Sequence, residues 1–135
     1  MTRFVSDRHL CSWAAICPGN DQSAGKQRSG RIRHGNRWLR GALLQAAWAA
    51  IRVKGSYFGA QFRRIAKRRG DKRAIIAVAH SLLTVIYHVL RNGVVYEDLG
   101  ADYFERRSPE RHTHYHVRRL TELGFTVTLE PVARE

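Results

Sequence analysis

The sequence predicts a small, mostly α domain of about five helices, with a long Gly/Arg-rich loop and one short C-terminal strand. Three observations carry that expectation. Apolar residues recur at helical spacing over 36–53, 57–69 and 72–91, and each run is bounded by capping residues or glycines. The chain has 135 residues, enough for a single domain. Its hydrophobic content of 44% is that of a globular chain rather than a disordered one.

The first helix is expected to begin at Asp7 behind an N-capping Ser6 and to end before Pro18. Residues 18–35 combine glycines, a proline and few large apolar side chains, and read as a loop. Asn36 caps a second helix to Val53, where Leu39, Leu43, Ala46, Ala47, Ala50 and Ile51 share a face. Gly55 ends it. Ser56 caps a third helix over Tyr57–Arg69, stopped by Gly70. Asp71 is expected to cap the longest helix, Lys72–Arg91, with Asn92-Gly93 as its stop. That helix is apolar, but it is shorter than a membrane span and interrupted by His80, Ser81, Thr84 and His88, so it reads as the central core helix. A linker follows whose Tyr96, Leu99, Tyr103 and Phe104 are expected to pack on the helices. Ser108-Pro109-Glu110 then starts a last helix that ends at Gly124. Residues 125–129 alternate like a strand. The single domain 1–135 thus divides into 1–17, the loop 18–35, a helical core 36–93 and a C-terminal part 94–135.

Charge narrows the function. Lys and Arg number 24 against 11 Asp and Glu, a net charge of +13. Such an excess repels itself and is relieved by a polyanion, nucleic acid first and an anionic membrane surface second. Two cysteines cannot build a disulfide framework. Asp7, Arg8 and His9 break the N-terminal apolar stretch, so no secretory signal is expected.

Two features could meet phosphates. Arg63, Arg64, Lys67, Arg68, Arg69, Lys72 and Arg73 cluster where the third helix gives way to the fourth, and would bind nucleic acid in a salt-dependent way. A solvated helix face is the plain alternative. In the loop, Lys26, Arg28, Arg31, Arg33 and Arg37 surround Ser23, Gly25 and Gly30. Glycines let backbone N–H groups approach an anion, and arginines clamp its oxygens. A serine attacking a phosphodiester needs this setting, because its hydroxyl is a weak nucleophile and charge builds on the phosphoryl oxygens. Read alone, it is an ordinary loop serine. Gly25-Lys26 does not make a nucleotide-binding P-loop, since Gln27 replaces the Ser/Thr and no strand leads in. Cys11 and Cys17 read as buried thiols, and His80 and His88 as core residues. His112, His114 and His116 read as a solvated face. No acidic constellation stands out, so no metal site is expected in this chain.

At this loop the sequence resembles a family. Cys17-Pro18-Gly19-Asn20, Ser23-Ala24-Gly25-Lys26, Gly30 and Gly35-Asn36-Arg37-Trp38-Leu39-Arg40 are similar to the C-terminal, serine-bearing domain of insertion-sequence transposases of the one-ten/one-sixteen/nine-oh-two family. Lys72-Arg73-Ala74-Ile75, Ala79-His80-Ser81, Tyr87-His88, Asp98-Leu99-Gly100, Asp102-Tyr103-Phe104 and Leu123-Gly124-Phe125 extend the resemblance over nearly the whole chain. It implies an RNA-guided DNA recombinase in which a serine forms a covalent phosphoserine–DNA intermediate. By motif that serine is Ser23. Lys26 and Arg40 match the motif as phosphate contacts, and Arg28 and Arg37 join them by charge and nearness.

The family also carries a RuvC-like domain with metal-binding acids, which this sequence lacks. The chain therefore reads as a truncated copy, its first residues a remnant of the segment that precedes the serine domain. No cofactor is expected here, Mg²⁺ belonging to the other domain, and cleavage would need a partner chain. Implied partners are DNA, an element-encoded guide RNA, and a second copy or a full-length transposase, in the bacterial cytoplasm at the nucleoid and with no membrane. The rival readings are a non-catalytic basic binding module and an RNA-associated structural protein.

Overall fold

The computed structural model describes residues 3–17 and 21–130. It divides into two compact units, Met1–Ala101 and Asp102–Glu135.

The first unit is built around four helices. Helix α1 spans Asp7–Trp13, and the Ser6 hydroxyl accepts the His9 N–H at 3.2 Å, as a capping serine should. The helix stops well short of Pro18, because Ala15 turns left-handed (φ 54°) and the Ile16 N–H reaches back to the Cys11 carbonyl. Helix α2 spans Arg37–Ala50. One carboxamide oxygen of Asn36 accepts both the Trp38 and Leu39 N–H groups at 3.0 Å, satisfying two of the donors a helix start leaves open. The helix ends at Ala50 rather than Val53, in a turn closed by Gly55 (φ 73°).

Helix α3 covers Tyr57–Arg69 as expected. Its cap, Ser56, is buried and doubly used: its oxygen accepts the Gly59 N–H at 3.1 Å and its hydroxyl donates to the Ala50 carbonyl at 3.4 Å. That bond ties the start of α3 to the end of α2. Helix α4 runs Asp71–Asn92 and ends at a left-handed Gly93. Asp71 does not cap it. Gly70 holds the cap position without a side chain, and Asp71 sits inside the first turn, where a negative charge is favoured by the helix dipole.

The core forms where α1, α2 and α3 all pack on α4. Helix α4 contributes Ala74, Ile75, Val78, Ala79, Leu83 and Tyr87 at helical spacing, α2 adds Leu43 and Ala47, α1 adds Leu10 and Cys11, and α3 adds Phe58. Contrary to the expectation that it is shorter than a membrane span, α4 has 22 residues and among the described residues is the one helix long and apolar enough to cross a membrane, with 33% of its most apolar stretch buried inside the fold. Tyr87 is 1% exposed. Its hydroxyl donates to the Phe4 carbonyl at 3.1 Å and accepts from the Arg91 guanidinium, which also reaches the Val5 carbonyl. The N-terminal segment is thereby fastened to the far end of α4.

A strap over residues 94–101 closes this unit. The Tyr96 ring stacks on Phe58 with centroids 5.9 Å apart. Asp98 accepts the Tyr57 and Gly100 N–H groups and the Tyr96 hydroxyl. Desolvation raises the Asp98 carboxyl, but those three donors outweigh it and hold it below its ordinary value. Desolvation and the carboxylate together push Tyr96 up to about 12. Of the aromatics expected to pack on the helices, Tyr96 does so. Tyr103 and Phe104 lie in the second unit, where they meet edge to face.

Residues 18–35 are not a structureless loop. Strand β1 (Asp21–Ser23) pairs antiparallel with β2 (Lys26–Ser29), joined by Ala24 and Gly25, both left-handed (φ 49° and 73°). Two positive φ angles make the turn whose twist suits a two-residue hairpin. The register slips by one between Asp21 and Gln22, a bulge that places an extra residue on β2.

The second unit holds a one-turn helix, α5 (Tyr103–Arg106), within the expected linker, and α6 (Pro109–Glu122). Ser108 precedes Pro109 as expected but makes no side-chain cap bond. Residues 125–129 form no strand, and Val127 and Leu129 instead line a cavity with Val117 and Leu120 of α6. Among the described residues of this unit none is fully buried.

Candidate nucleic-acid interface

Ser23 ends β1 and faces solvent. Its register partner is Lys26, directly across the two-residue turn. Residues opposed in this way lie on one face of the ribbon with Cβ atoms about 4.5–5.5 Å apart. The hairpin thus presents a hydroxyl and an ammonium side by side at its tip. Ser23 is exposed, so an incoming group can reach its hydroxyl. Arg28 is described in its backbone only, and Pro18, Gly19 and Asn20 of the motif lie outside the described residues.

The chain from the hairpin into α2 is positioned by Gly35. A Cβ there would lie 2.5 Å from the Ala15 side chain and 2.9 Å from the Ala14 carbonyl oxygen. Only glycine lets this strand pass so close to the turn after α1. Gly35 and Asn36 therefore act in sequence, one allowing the approach and the other starting the helix. Arg37 and Arg40 stand in the first turn of α2, where the N-terminal dipole adds positive potential. Trp38 is 80% exposed, with the Arg37 guanidinium 5.5 Å from its ring. Arg31 and Arg33 are exposed on the segment leading in.

The second set of cations lies on the α3–α4 joint. Arg63, Arg64, Lys67, Arg68 and Arg69 occupy the C-terminal half of α3, and Lys72 and Arg73 the first turn of α4, all exposed. Gly70, with φ 80° and ψ 162°, is the single residue between the two helices.

A groove of about 690 Å³ lies between the hairpin's trailing segment and the α3–α4 joint, and only the second set of cations borders it. Ser29, Gly30 and Ile32, from the end of the hairpin, form one side, and Arg69 and Arg73 edge the other. Between them lie Ile65, Ile76 and Ala77, with Gln61, His80 and Ser81. Ser23 and Lys26 are not among its lining residues, nor are Arg31, Arg33, Arg37 and Arg40. Sequence reasoning missed Gln61 and Ser81. Their signal was faint: a polar residue interrupting each of two otherwise apolar helix faces.

The remaining candidates separate. Cys11 is buried, and desolvation raises its thiol while a contact to Thr84 acts the other way. Cys17 is half-buried rather than buried, and desolvation raises it too. His88 is exposed, edge-on to the Tyr87 ring, and is not a core residue; His80 is half-buried in the groove wall. His114 and His116 are exposed, while His112 is half-buried. Among the described residues no three His, Cys, Asp or Glu side chains come together as a ligand set.

Residues 1–63 match the family described as Transposase IS116/IS110/IS902 family. A curated relative, the insertion element IS110 uncharacterized 43.6 kDa protein of Streptomyces coelicolor, is 29% identical over 98 residues, covering 71% of this chain. The chain spans 24% of the length of that relative. No solved structure matches it.

Proposed function

We propose, from the match of residues 1–63 to the IS116/IS110/IS902 transposase family, that this chain contacts DNA in the transposition of an insertion element, with Ser23 as the nucleophile. The observation that carries this reading is the pairing of Ser23 with Lys26 across a two-residue turn, with the hydroxyl exposed. In the step envisaged, the Ser23 oxygen attacks a backbone phosphorus and loses its proton. The new P–O bond replaces one to a sugar oxygen, which leaves and takes up a proton. The Lys26 ammonium offsets negative charge on the phosphoryl oxygens as they crowd the phosphorus. Arg31, Arg33, Arg37 and Arg40 hold flanking phosphates, and Trp38 offers a face on which an unpaired base can stack.

The partners of this reading are DNA, an element-encoded RNA, and a second copy or a full-length transposase. Given Mg²⁺, guide RNA and a RuvC-like domain of the family in trans, the chain is expected to form a denaturant-resistant adduct with labelled element-end DNA, and Ser23→Ala to abolish it. An adduct that survives in Ser23→Ala removes the serine from the mechanism.

A second reading is favoured by the cations of the α3–α4 joint, which need no serine to hold a phosphate backbone. The chain is then a binding module that joins or regulates a transposase assembly, and Ser23→Ala changes nothing measurable.

A further inference from the structure

We propose that the groove between the hairpin's trailing segment and the α3–α4 pair seats one unstacked base of a DNA strand, with that nucleotide's phosphate held by Arg69 and Arg73. The proposal rests on the DNA-binding reading and adds to it a site for a base, where that reading asks only for phosphates.

Four features of the groove point to a nucleotide. Its volume of about 690 Å³ falls within the ~300–1,000 Å³ of small-ligand sites. Its interior is apolar on two sides, where Ile65 of α3 and Ile76 of α4 are each only half-buried. The flat face of a base would cover such walls, and bases are sequence-tolerant in this respect because every one has that face.

The floor carries an unmet demand. Gln61 donates through Nε2 to the Ser81 hydroxyl at 2.8 Å, while its Oε1 is buried with no hydrogen-bond partner among the described residues. A buried acceptor left unpaired costs about 1–3 kcal/mol, and a turn of the Gln61 amide toward the groove it lines would offer that oxygen to the N–H edge of a base. The rim completes the match. Arg69 and Arg73 stand at the groove edge on either side of Gly70, where a phosphate joined to a seated base would emerge. Apolar walls, one acceptor within and two guanidinium groups at the mouth fit a base attached to a phosphate better than they fit a free anion or a lipid tail.

A base can enter only if it is unpaired, so the test compares strands of equal charge. Binding of the full chain is measured by fluorescence anisotropy at fixed salt with a single-stranded DNA oligonucleotide, an abasic phosphodiester strand of the same length, and the matching duplex. The wild type is expected to hold the base-bearing strand about tenfold more tightly than the abasic one, a difference worth about 1.4 kcal/mol. Gln61→Leu, close in shape but without the acceptor, and Ala77→Trp, which fills the groove, should each bring that ratio near one while leaving duplex and abasic binding unchanged. A wild-type ratio near one, or a ratio that persists in Gln61→Leu, overturns the proposal. Should Ala77→Trp lose its helical circular dichroism, Gln61→Leu alone decides. A matching RNA strand forms a fourth arm, and a groove-dependent preference for RNA overturns the assignment to DNA. Failure of every strand to bind would instead overturn the DNA-binding reading itself, so the two outcomes are told apart.

Discussion

The hairpin that carries Ser23 and the helices that follow it are held by different forces. The helices share a core in which Val78, Ala47 and Tyr87 are almost wholly removed from water. The hairpin is polar in sequence throughout, Asp-Gln-Ser paired with Lys-Gln-Arg-Ser, and depends on ladder hydrogen bonds and the geometry of one turn. Burial resists deformation because every displaced side chain loses contacts at once. A short polar ribbon has little such resistance. The region proposed to do chemistry is therefore the more adaptable one, and the region proposed to grip the backbone is the more rigid.

That contrast is broken or sharpened by variants in each region. The largest effect is expected for Tyr87→Ala, which removes a buried ring and its bond to the Phe4 carbonyl. It should cost about 3–5 kcal/mol, read from urea unfolding, whereas Gly25→Val at the hairpin turn should leave the midpoint unchanged. Equal losses would show that the hairpin is part of the cooperative core. Gly35→Ala probes the seam between the two regions. Its methyl group has backbone on one side and the Ala15 side chain on the other, and about 1–3 kcal/mol should be lost, seen as a lower melting temperature. The smallest effect is a gain. Ala24 is held left-handed without being glycine, and Ala24→Asn should relieve up to about 1 kcal/mol. Slower amide exchange confined to residues 21–29 would report it, with no change in global unfolding.

Much of the helical frame was legible because its boundaries are made by local chemistry. Ser6, Asn36 and Ser56 cap where capping residues were read, and Gly93 stops α4. The hairpin was not legible. Its strands lack the apolar alternation that marks a half-buried strand, and Ala-Gly stands at the turn in place of the Asn-Gly or Asp-Gly that signals one. The opposite error occurred at residues 125–129, where alternation was present but no strand formed. A one-turn helix such as Tyr103–Arg106 is too short to show a period at all.

At the candidate site, the sequence put Ser23 and Lys26 three residues apart, but the hairpin that makes them register partners was not legible. Nor was the groove, because its walls come from residues as far apart in sequence as Ile16 and Ser81. The polar character of Gln61 could be read directly, but its unpaired oxygen depends on how α3 meets α4. Likewise His88 looked internal by composition and is turned outward by the pitch of its helix.

One further consequence follows from Gly70. A connection of a single amino acid, set at a backbone conformation open almost solely to glycine, has no slack. Each residue added there would rotate Lys72 and Arg73 by about 100° around the axis of their helix, out of step with the charges on α3. The spacing between these two groups of charges is therefore fixed like the teeth of a gauge, and a lineage that keeps its grip on a polyanion has to keep the length of this joint as strictly as any side chain.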